Sequence, residues 1–241
     1  MIGYNVTRIN ELMKELADAY NRCGNTISEG WPAVSQTMQQ YWVGEDEQSY
    51  EDTFCKRMCE MYVSACNIVK DLTTNLKNLG TEWHNFQQKN LLEGASMPAS
   101  FAANIEDVTI TPNEKIISMR AANVSDSTDR GVKEGALSAI QSSMSEYLNN
   151  IKSSLQDIYA GIDGSAAFLG SQQSSTINQY IEAIGQSLGS VVTAANDIYT
   201  ALEKLTQTSY SQSESEVSSQ FNSSNVQSEI EGQLGDMKWN G

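Results

Sequence analysis

Proline and histidine are scarce in this chain. Its 241 residues hold three prolines, Pro32, Pro98 and Pro112, and one histidine, His84. Proline breaks helices, so the long proline-free stretches suit long helical elements. His84 lies beside Trp83 on the exposed side of a helical stripe, the position of a surface histidine. No nucleophile elbow, P-loop or metal-ligand spacing accompanies it. Carboxylates gather in clusters that read as solvated, such as Glu45-Asp46-Glu47. The chain is therefore read as not an enzyme, with no catalytic residues, cofactor or metal.

Basic residues are short as well, 15 Lys and Arg against 30 Asp and Glu, for a net charge of −15 and a pI near 4.4. Nucleic acid needs a basic face, so it is excluded as a partner. An anionic membrane surface is disfavoured for the same reason. No run approaches the roughly 18 apolar residues of a membrane-spanning helix, so no membrane insertion is expected. Met1 to Asn10 has no apolar core of a cleaved signal peptide. The expectation is a soluble protein made in the cytoplasm, with any export by a route that reads another signal.

The four cysteines are Cys23, Cys55, Cys59 and Cys66. Cys55 and Cys59 share a helix face, but no histidine or carboxylate joins them at finger-like spacing, so free thiols are expected. A bridge from Cys23 to the second helix stays open as an alternative.

What the chain does have is helical periodicity. Ile9, Met13, Leu16, Tyr20, Cys23 and Ile27 recur four and three apart, from a helix start near Val6 or Thr7. Gly24, Gly30 and Pro32 interrupt this stripe, and a kink or local restart is expected at Ser28-Glu29-Gly30-Trp31-Pro32. A corner follows at Trp42-Val43-Gly44, where glycine can bend the chain without a Cβ penalty. Glu45-Asp46-Glu47 then marks a helix start, because acids complement the positive end of the helix dipole. The second helix carries Phe54, Met58, Met61, Ala65, Ile68 and Leu72, flanked by Tyr62, Val69 and Leu76. That face is too broad for one partner and calls for two neighbours, as in a four-helix bundle.

The predicted domains are 1–92, a helical hairpin; 93–129, a linker; 130–207, a second hairpin; and 208–241, a disordered acidic, Ser-rich tail. In the linker, β-branched residues on both sides of Thr111-Pro112-Asn113-Glu114 allow a small β-hairpin. The third helix is placed from near Asp129 to Gly161–Gly164. Another corner, Phe168-Leu169-Gly170, leads into a fourth helix with Ile177, Ile181, Ile184, Leu188, Val191, Ala195, Ile198, Leu202 and Leu205. Gly185 and Gly189 within it are read as a site of close helix approach. The fold class is all-α: two antiparallel helical hairpins packed as an elongated four-helix bundle, a rod about 50 Å long at 1.5 Å per residue.

Two helices meeting at Trp42-Val43-Gly44 within about 90 residues resemble the WXG family of the early-secreted-antigen type. The resemblance covers Val6 to Asn90 by motif and Val132 to Tyr210 by architecture, with Phe168 and Gly170 standing where the family has Trp and Gly. It implies helical hairpins that pair antiparallel, here fused in one chain as a tandem repeat, and hence a monomer with an internal pseudo-dimer. It also implies export by type VII secretion from a Gram-positive bacterium, with a secretion ATPase and a co-secreted protein as partners. The family's second export element, Tyr-x-x-x-Asp/Glu, is matched by Tyr210 and Glu214 just past the last helix; Tyr159–Asp163 and Tyr199–Glu203 also match, at or within core helices. Antiparallel pairing would set Tyr210 and Glu214 beside Trp42 and Gly44 as one composite signal. The leading function is thus a non-enzymatic secreted substrate. The alternatives are a cytoplasmic adaptor or chaperone for a larger secreted partner and a structural coiled-coil component. For Trp42 the competing role is a plain corner plug, and Trp31 is counted among exposed aromatics.

Overall fold

In a computed structural model, residues 6–89, 105–121, 131–169 and 174–209 are described. The elements run α1 (Val6–Tyr41), β1 (Trp42–Val43), α2 (Glu45–Lys89), α3 (Glu114–Ile117), β2 (Gly131–Val132), α4 (Ala136–Leu169) and α5 (Ser174–Ser209). The protein is a mostly helical bundle. Each apolar stripe is spent on a neighbour: α1 packs on α4 and α2, while α5 packs on α2 and α4. None of these helices is long and apolar enough to cross a membrane.

α1 and α4 run antiparallel, as their paired residues show. Tyr147 donates from its hydroxyl to the Ile27 carbonyl at 2.9 Å, Thr26 and Ser154 share a hydrogen bond at 3.0 Å, and Arg22 pairs with Asp157 at 3.1 Å. Further along, Leu16 lies over Gly161 and Leu12 over Gly164. α1 and α2 pack against each other, with Tyr20 stacked on Tyr62 at 4.7 Å and Trp31 on Phe54 at 5.3 Å. Trp31 is therefore a core residue, also 6.1 Å from Tyr147, rather than an exposed aromatic.

Three boundary expectations are overturned. α1 passes through Gly24, Gly30 and Pro32 without a restart. Its glycines serve packing: a Cβ on Gly24 would lie 2.4 Å from the Tyr62 hydroxyl, and one on Gly30 would lie 2.7 Å from the Tyr147 ring. α4 likewise continues through Gly161 and Gly164 to Leu169, because a Cβ on Gly161 would meet Leu16 at 2.6 Å. It also starts at Ala136, later than Asp129. Gly185 and Gly189, by contrast, face open space, so they do not mark a close helix approach.

The linker holds no β-hairpin at 108–117. Residues 105–113 are irregular and lead into the one-turn α3. The Pro-Asn pair that suggested a turn is a helix start instead: the Asn113 side chain accepts from the Lys115 N–H and caps α3. This strap crosses the α1–α2 pair. Ile105 reaches Gly80, Lys77 pairs with Asp107, the Asn113 N–H donates to the Tyr62 hydroxyl, and the Ala121 N–H donates to Asp52. Ile110 and Ile116 are buried, which anchors the strap by apolar contact. The β structure lies elsewhere, where β1 pairs antiparallel with β2, Trp42 opposite Val132 and Val43 opposite Gly131.

Candidate functional site at the helix corner

The corner is built by four elements. α1 ends at Tyr41, whose carbonyl accepts from the Lys133 N–H at 2.8 Å, extending the β1–β2 bridge by one bond. Gly44 then turns the chain at φ +154, a conformation that favours glycine, and its carbonyl accepts from Gln48 to open α2. The Trp42 indole is 2% exposed and 5.5 Å from the Tyr50 ring. Its geometry is that of a plug for the end of the bundle.

Beside the plug is a hollow of about 230 Å³, lined by Trp42, Val43, Gly44, Gly131, Val132 and Leu205, with Glu45 and Asp46 adding two acids. Leu205 belongs to the last turns of α5. The end of α5 thus meets the first corner. Phe168 and Leu169 are the last two residues of α4, a helix where Trp42 and Val43 form a strand. They lie at the other end of the bundle, since the close of α4 runs beside Leu12 near the start of α1. Gly170, Tyr210 and Glu214 fall outside the described residues, as do the tail from 210 and the His84 side chain. The other two Tyr-x-x-x-acid matches begin inside the bundle: Tyr199 is 1% exposed, and Tyr159 packs against the core.

The acidic cluster after the corner is not uniformly solvated. Glu45 and Asp46 are exposed, but Glu47 is buried together with Glu51, both at 0% exposure. The signal was present in the spacing: counting back from Phe54 by three and then four, the second helix's stripe begins Glu47, Glu51, Phe54, Met58. Burial raises the Glu47 carboxyl most, and hydrogen bonding with Glu51 and the charges of Glu51 and Asp52 raise it further, from 4.5 to about 9. The positive end of α2 favours the anion by about 0.3–1 kcal/mol. Taking a carboxylate out of water outweighs that by several kcal/mol, so the Glu47 carboxyl is held well above the usual carboxylate range.

All four cysteines are free; Cys23, Cys55 and Cys66 are buried and Cys59 is half-buried. Burial pushes the Cys23 thiol up to about 12, so it stays protonated and unreactive. Among the described residues no three His, Cys, Asp or Glu side chains gather as a metal site. The chain matches no protein-family model, no curated protein and no solved structure.

Proposed function

We propose that this chain is a non-enzymatic export substrate of the type VII kind, a folded helical bundle made of two antiparallel hairpins fused as an internal pseudo-dimer and working as a monomer. The observation that supports it most is the shared hollow. Trp42 and Gly44 of the first corner and Leu205 of α5 line one depression. Tyr210 follows Leu205 by five residues in sequence, which supports joining the Tyr210–Glu214 motif to the corner. The expected partners are a secretion ATPase and a co-secreted protein.

Trp42 is a poor residue for the test, because removing a buried indole costs about 3–5 kcal/mol of stability and confounds export with folding. Tyr210→Ala, one position past the end of α5 in sequence, separates the two. In a Gram-positive host carrying a type VII system, the variant should keep its helical signal and thermal midpoint while its amount in the medium falls at least tenfold. Unchanged secretion of Tyr210→Ala would refute the reading.

A further inference from the structure

The hollow beside Trp42 combines two kinds of surface. Val43, Val132 and Leu205, all half-buried, give it apolar walls together with the Trp42 indole. Glu45 and Asp46, both exposed, add acid to the lining, and no base is among the described residues that line it. Lys133 and Lys204 are exposed and are not part of the lining. At about 230 Å³ the hollow is smaller than the about 300–1,000 Å³ of a site for a drug-sized molecule. It suits one large apolar side chain with a cation beside it, delivered by a peptide.

The chain carries such a peptide within reach. α5 supplies Leu205 and closes at Ser209, and residues 210–241 follow it directly. Each of them adds up to about 3.3–3.6 Å of reach, against a rise of about 1.5 Å per residue from Leu205 to Ser209. Residues near 240 can therefore return to the hollow with length to spare. The stretch holds a single base, Lys238, set between Met237 and Trp239. Its other apolar residues lack that pairing. Phe221 has no base beside it, and Ile230 sits between Glu229 and Glu231, which Glu45 and Asp46 would repel. The tether also presents Trp239 at a higher effective concentration than the same sequence on another molecule.

We propose that Met237-Lys238-Trp239 docks in the corner hollow of its own chain, with the Trp239 indole against Val132 and Leu205 and the Lys238 ammonium beside Asp46. The indole covers apolar surface that these half-buried side chains leave open to water. The ammonium adds little affinity in an exposed pair, but it selects this segment over the acidic ones. Docked in this way, the segment is an intramolecular cover: a partner that reaches the corner must first displace it. The docking does not rest on the export reading, whose test changes Tyr210; Tyr210 is intact in every variant used here.

Nuclear Overhauser contacts in the full, unmodified chain test it without any substitution. The indole protons of Trp239 should show contacts to the methyls of Leu205 and Val132, and these should persist when labelled protein is diluted into unlabelled chain. In Trp239→Ala the shifts of the same methyls should change, while those of Leu12, at the other end of the bundle, should not. Lys238→Glu should weaken the contacts from Trp239 at least twofold. The proposal is overturned by an absence of contact between Trp239 and both methyls. Contacts from Phe221 in place of Trp239, or contacts seen only between differently labelled chains, would assign the hollow to another occupant and overturn it too. So would contacts of full strength in Lys238→Glu.

Discussion

Gly24 and Gly185 are both helical glycines, and they should respond to the same substitution in opposite directions. Alanine gains about 1 kcal/mol over glycine in a helix interior. At Gly185 nothing lies within 4 Å of the added Cβ, so Gly185→Ala should raise stability by about 0.5–1 kcal/mol. At Gly24 the Cβ would fall 2.4 Å from the Tyr62 hydroxyl and 3.2 Å from its ring edge, and that ring is stacked on Tyr20. A rigid stacked ring cannot yield as a flexible chain end can, so Gly24→Ala should cost about 1–2 kcal/mol net. Chemical denaturation of the two variants checks the pair. Spacing alone could not sort these glycines. Gly185 and Gly189, four apart, looked like a contact seam, while Gly24, Gly30 and Gly161 looked like interruptions; what distinguishes them is the residue on the facing helix. Glu47 is the opposite case. Its place in the stripe was readable from Phe54 backwards, but three consecutive acids after a corner suggested a solvated helix start, which describes Glu45 and Asp46 only.

Among the elements, α1 and α2 were legible because their periodic stripes run long. Even so, proline and glycine signals misplaced a break in α1, where Ile27, Trp31 and Val34 are all buried and tertiary packing carries the helix past Pro32. The strap was less legible. Val108, Ile110, Ile116 and Ile117 have the composition of strands, and Pro112-Asn113 fits a hairpin turn as well as a helix start. The choice is made by contacts far away in sequence, with Ile116 buried and Asn113 held by Tyr62 and by Ser28 at 3.4 Å. Asn113→Ala removes the α3 cap and the Ser28 contact together. It should lower stability by about 1 kcal/mol and speed amide exchange at Ile117 and Ser118, with α4 and α5 unaffected. Uniform loosening of the four long helices would contradict the local role given to this cap.

For the whole molecule, the mostly helical bundle follows from four amphipathic stripes, of which that of the second helix is too broad for one neighbour. What no stripe encodes is which ends meet. Trp42-Val43-Gly44 is legible as a corner, but its bridge to Gly131-Val132 and its contact with Leu205 span most of the chain's length. The export reading and the shared hollow both depend on that meeting. Methyl-labelled protein diluted into unlabelled chain provides the most direct measurement, since only contacts within one molecule survive the dilution. Nuclear Overhauser contacts from the Leu205 methyls to those of Val132 and Val43 should persist undiminished per labelled chain. Their absence, or their appearance only between differently labelled chains, would mean that the corner and the end of α5 do not meet within one molecule.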